Sequence, residues 1–114
     1  MRYAILMTDV EGEWDGLSET RQQAILDQHV AFRRALEEAG RFIDVLHLHP
    51  RSTARTVRRE RDDSITVSDG PFSDASEYVG GLYVIEADSM DEAVEWAKKG
   101  RFMVGANEVR AIHL

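Results

Sequence analysis

Gly80-Gly81-Leu82-Tyr83-Val84-Ile85-Glu86-Ala87-Asp88-Ser89-Met90-Asp91-Glu92-Ala93-Val94-Glu95-Trp96-Ala97-Lys98-Lys99-Gly100 changes its period part-way along. Leu82 to Glu86 is a short run of β-branched, aromatic and aliphatic residues, which predicts a strand released by two glycines. Ser89-Met-Asp-Glu92 then reads as a capping box that opens a helix. Met90, Ala93, Val94 and Ala97 recur at i, i+3, i+4 and i+7 and make one apolar stripe. Lys98 and Lys99 suit the negative end of the helix dipole, and Gly100 stops the helix. A strand passing directly into a helix sets the unit from which the remainder of the chain can be read.

Towards the C-terminus, Glu108 to His113 predicts one more strand. Towards the N-terminus, Asp69 to Val79 is irregular. Thr53–Arg59 and Ser64–Ser68 predict a hairpin turning at Asp62-Asp63, because Thr56-Val57 and Ile65-Thr66-Val67 are β-branched. Phe42 to His49 predicts a strand closed by Pro50, with Ile43, Val45, His47 and His49 on one face and Asp44, Leu46 and Leu48 on the other. Ser18 caps a helix running to Gly40, whose inner arc holds Ile25, Phe32, Leu36 and Ala39, widened by Leu26 and Val30. Residues 3–8 form a first, nearly continuous apolar strand, followed by an acidic loop from Asp9 to Leu17. Strand, helix, strand, hairpin, strand, helix, strand is the ferredoxin-like α+β plan: one mostly antiparallel sheet with two helices on one face. Apolar residues on both faces of the strands imply that the second face is also covered, most simply by a second copy.

Composition narrows the possible work. The chain has 114 residues, a formal net charge of −7 and no cysteine. That length is one domain, 1–114. Without cysteine there is no thiol catalysis, disulfide scaffold or Cys-based metal site. No apolar run approaches the ~18–20 residues of a membrane span. Residues 1–10 are too short and too soon acidic for a secretory signal, so a cytoplasmic location is expected. The acidic balance disfavours non-specific nucleic-acid binding. Neither a phosphate-binding glycine loop nor a G-x-S-x-G elbow is present.

Chemistry must therefore rest on histidine and carboxylates. His29 lies about 40° from Ile25 on the helical wheel, at the edge of the stripe that faces the sheet. A partly desolvated imidazole there can serve as a general acid or base, or simply pack and hydrogen-bond. His47-Leu48-His49 could offer two imidazoles to a metal, but no third ligand is near in sequence, so neither metal nor cofactor is expected. Arg51, Arg55, Arg58, Arg59 and Arg61 crowd the hairpin, either as a solvated edge or as an anion-binding patch. Asp69-Gly-Pro-Phe72 is a tight turn whose Phe72 is expected in the core or an interface. It also gathers Asp69, Asp74 and Glu77 in one irregular segment.

Asp69-Gly-Pro-Phe-Ser-Asp-Ala-Ser-Glu-Tyr-Val-Gly-Gly81 resembles the signature of the DGPF proteins of the YCII-related superfamily. Ser52 to Arg58, Asp91 to Ala97 and Glu108 to Ile112 are similar to that family's neighbouring elements, so the resemblance covers almost the whole chain. It implies a ferredoxin-like protomer that dimerises into an α/β barrel with a cleft beside the sheet. In some members a His–Asp pair works in that cleft. His29, eleven residues before Gly40, matches the histidine by position. The aspartate that follows the last helix is replaced here by Gly100 and Arg101, so another carboxylate must orient His29, with Asp69 the first choice and Glu77 the second. Ser76 and Ala111 stand where DGPF members usually carry Lys and Pro. The expectation is a homodimer with a cleft for a small organic ligand and acid–base chemistry by His29 with Asp69 or Glu77. The alternative is a non-catalytic regulatory module acting with an extracytoplasmic-function sigma factor, the association that the resemblance implies.

Overall fold

The structure, a computed structural model, describes residues 1–113. Its elements run β1 (Arg2–Val10), α1 (Glu19–Glu38), β2 (Phe42–His47), β3 (Arg55–Arg59), β4 (Ile65–Asp69), β5 (Glu77–Glu86), α2 (Met90–Lys99) and β6 (Asn107–Ala111), with a 3-10 turn at Arg51–Thr53. Strands β2-β5-β1-β6 form a four-stranded sheet in that order, antiparallel throughout. Each helix therefore links two strands that run the same way with an antiparallel strand between them, the split βαβ arrangement of the ferredoxin-like fold.

Alternation along the strands explains where the core lies. Tyr3, Ile5 and Met7 of β1 and Tyr83 and Ile85 of β5 point to the helix side and are buried. Phe32 and Leu36 from α1 and Ala93 and Ala97 from α2 pack on them. The opposite parity, Leu6, Leu82, Val84 and Leu46, faces away from both helices.

Local chemistry fixes the helix ends. Ser18 Oγ accepts from the Arg21 N–H at 3.1 Å, and Ser89 Oγ from the Glu92 N–H at 3.1 Å. Glu92 reaches back to the Asp88 N–H at 3.0 Å rather than to that of Ser89. Arg41 joins this cap, with Nε 3.0 Å from Glu92 and Nη2 3.1 Å from Asp88, so the start of β2 is tied to the start of α2. Gly40 adopts φ +70°, the left-handed stop expected of it. Gly100 does not (φ −98°). A Cβ there would lie 2.6 Å from Phe32 Cζ, so glycine is required by helix packing rather than by backbone handedness.

Four expectations change. The hairpin β3–β4 does not extend the main sheet but forms a separate two-stranded one. Phe72 is 80% exposed in the single chain, so it is not in the core, and of the two places expected for it the interface is left. Strand β2 ends at His47, so His47 and His49 do not share one strand face. Leu26 and Val30 are exposed, since the inner arc of α1 is as narrow as Ile25, Phe32 and Leu36. The hairpin also lengthens the molecule: its radius of gyration is 16.2 Å, against about 13 Å for a compact domain of this size.

Candidate functional site

Where the helix side of the sheet meets the C-terminal end of β1, four polar side chains converge. His29 comes from α1, one turn before Phe32. His47 ends β2. Asp9 continues the inward parity of Tyr3, Ile5 and Met7 beyond the core, and Arg101 follows α2. The His29 ring lies between Phe102, edge-on with centroids 4.8 Å apart, and Tyr83, stacked at 6.4 Å. His29 Nδ1 and Tyr83 Oη are 3.4 Å apart. The His47 ring is 6.5 Å away, nearly perpendicular.

A bulge in β5 makes room for Asp9. The register of β1 on β5 slips between Met7 and Thr8, leaving Gly80 unpaired. A Cβ on Gly80 would fall 1.8 Å from Asp9 Oδ2, so the carboxylate occupies space that only glycine leaves open. Gly80 thus serves the site, while a Cβ on Gly81 would meet the Leu46 carbonyl of β2 at 2.6 Å.

Electrostatics separate the groups. Partial burial, then the charges of His47 and Arg101, hold the His29 pKa below its ordinary 6.5. His29 is neutral at physiological pH, with a ring nitrogen able to take a proton. Desolvation pushes the Asp9 carboxyl up from 3.8, against the opposing pull of Arg101 and His47. Burial also raises the Tyr83 phenol, which keeps its proton.

Arg101 has a structural task. Nε donates to Met103 O (2.9 Å), Nη1 to Ala106 O (3.0 Å) and Asn107 Oδ1 (3.2 Å), and Nη2 to Thr8 O (2.9 Å) and Val104 O (2.8 Å). All five N–H donors are used. The guanidinium clasps the loop between α2 and β6 onto β1, and its charge acts on the site through space.

Asp9 and Arg101 also line a cleft of about 1060 Å³. Trp14, Tyr78, Phe72 and Met103 give it apolar walls, while Thr8, Glu77 and Arg51 supply polar groups. Arg51 is held by Glu11 (3.2 Å), by the Ala75 carbonyl and by the Tyr78 ring 4.0 Å below it.

Of the carboxylates expected near His29, Asp69 ends the hairpin beside Arg55, 3.5 Å away. Glu77 accepts from the Thr8 hydroxyl at 2.8 Å and lines the cleft. The carboxylate that shares the helix side of the sheet with His29 is Asp9. Alternation in Tyr3-Ala-Ile-Leu-Met-Thr-Asp9 carried that information, obscured because Asp9 also opens the acidic loop.

A model of the YCII-related domain matches residues 1–113. The chain belongs to the YCII-related family. An uncharacterised protein of Rhizobium meliloti (strain 1021) is 32% identical over 117 residues, covering all of this chain and 94% of that protein. Among solved structures, 5-chloro-2-hydroxyhydroquinone dehydrochlorinase from Burkholderia phenoliruptrix AC1100, in complex with 2,5-dihydroxybenzoquinone, superposes with a TM-score of 0.53. That match covers 99% of this chain and 94% of the other at 17% identity, a shared fold. This YCII-related protein carries Arg101 after its last helix, and the carboxylates acting on that arginine are Asp9 of β1 and Glu77 of β5.

Proposed function

We propose that the protein binds a small organic molecule at the cleft and moves a proton on it, with the neutral imidazole of His29 as acceptor and Asp9 as the carboxylate partner of the site. One observation carries this reading: a half-buried imidazole beside Tyr83 and His47 is held neutral by burial and by the charges of His47 and Arg101, and Arg101 with Asp9 forms cleft wall. A base must be unprotonated at working pH and close to where substrate can sit, and desolvation supplies the first condition. Arg101 keeps the loop closed and contributes positive potential that favours an anion forming beside it. Glu77, fixed by Thr8, sets the polarity of the far cleft wall.

The aromatic lining suits a planar, partly apolar ligand with ionisable hydroxyls. A dehydrochlorinase among proteins of this fold supports a cofactor-free elimination or tautomerisation, in which a base removes a proton and either a leaving group departs with its bonding electrons or the proton returns at another atom. The reading includes a homodimer, because Leu46 and Leu82 face away from both helices and Leu46 stays exposed.

NMR binding experiments with small hydroxylated aromatics, 2,5-dihydroxybenzoquinone among them, test the reading. Binding should shift the His29 ring resonances and those of the Asp9 backbone, and His29→Gln should abolish deprotonation of the bound ligand without unfolding the chain. Binding that leaves the His29 ring unmoved would assign the cleft a role without this histidine.

A further inference from the structure

The hairpin β3–β4 is an arm. Its two strands pair only with each other, and Arg55↔Asp69, Val57↔Val67 and Arg59↔Ile65 fall on one face by strand alternation. Val57, Ile65 and Val67 on that face are 68, 56 and 65% exposed. An isolated two-stranded hairpin is marginal in water unless something covers an apolar face. Nothing among the described residues does so.

A second uncovered apolar surface lies on the main sheet. Leu46, Leu48 and Val79 are exposed at the end of the sheet from which the arm departs. The two surfaces have opposite surroundings. The arm strip is flanked by Arg55 and Arg59, whose pairs with Asp69 and Asp63 are loose (3.5 and 3.7 Å) and solvated. The sheet face carries Asp44, Glu77, Glu86 and Glu108 against Arg2 and Arg110, and is acidic on balance around its apolar centre. One chain thus bears both halves of a complementary pair, the condition for a closed two-fold contact.

We propose that the arm is exchanged between two copies of this chain, with Val57, Ile65 and Val67 of one copy covering Leu46, Leu48 and Val79 of the other. The inference rests on the homodimer of the proposed function and specifies its contact. It has a consequence for the site. Arg55 and Thr56 at the base of the arm and Leu48 and Val79 on the sheet all line the cleft. The partner's arm therefore narrows the cleft mouth, and a ligand would meet both copies.

The absence of cysteine makes the test clean. The full chain is measured by sedimentation over a concentration series, alone and with Val57→Lys plus Val67→Lys. Both valines are exposed in the single chain, so circular dichroism should be unchanged. The dimer should weaken by about tenfold or more, the effect of losing two buried valines. Separately, Val67→Cys with Leu48→Cys is oxidised and run without reductant. A covalent dimer supports exchange, whereas a cross-linked monomer would mean that the arm folds back on its own sheet. A monomeric wild type overturns the homodimer itself. A wild-type dimer that survives the double lysine substitution and forms no cross-link overturns the arm contact alone.

Discussion

His29 and Asp9 are shifted in opposite senses by the same desolvation, and each predicts a different dependence on pH. Because the folded His29 sits below 6.5, the unfolded chain takes up a proton first as pH falls. Stability contributed by the neutral ring is present above 6.5 and is lost from there down to the lowered folded value. The melting temperature of the wild type should therefore fall more between pH 7 and pH 5 than that of His29→Gln, as calorimetry can check. Asp9 runs the other way. Its folded pKa is above 3.8, so between the two values the folded chain holds the proton that the unfolded chain has released, and stability falls as pH rises. Asp9→Asn should raise the melting temperature at pH 7, with no gain below 3.8, while weakening any proton transfer at the site. A residue that costs stability where it stands fits a functional role. His29 was legible in the sequence from helical period alone. Its neighbours were less so: Asp69 and Glu77 are close together in the chain, but Asp69 is carried out on the hairpin. Asp9 faces inward by the alternation of β1, but the room for its carboxylate at the β5 bulge appears only when β1 pairs with β5.

Elements with strong local signals were read with little error. Ser18, Ser89 and Gly40 act where capping rules place them, because the orphan N–H and C=O groups of a helix end are local problems. Ser89→Ala should cost about 1 kcal/mol in denaturant unfolding. Gly100 shows where locality stops. Its position was legible as a helix end, but its reason is Phe32 on the other helix. Gly100→Ala should destabilise the fold by about 1–3 kcal/mol through overpacking, more than loss of helix-end geometry would give. The hairpin strands β3 and β4 were also legible, while their detachment from the main sheet was not. β-branched patterning announces a strand without naming its neighbour.

At the scale of the molecule, the order of elements was enough for the antiparallel sheet and the helix-covered face, since few topologies satisfy short, right-handed connections. The elongated outline was not legible, because it depends on an arm held away from the body by the turn at Gly70 and by Arg51 at its root. The same geometry places the cleft between the arm base and the sheet end, with Asp9 and Arg101 in its wall. No helix among the described residues is long and apolar enough to cross a membrane.

The central claim is that His29 is held neutral and proton-accepting by a site that includes Asp9 and Arg101. A pH titration of the histidine ring resonances by NMR tests it most directly, comparing His29 with the other three histidines of the chain. A His29 midpoint below 6.5 is expected, moving upward when a hydroxylated aromatic binds and hands it a proton. A midpoint at or above 6.5 in the free protein, unchanged by ligand, would contradict it.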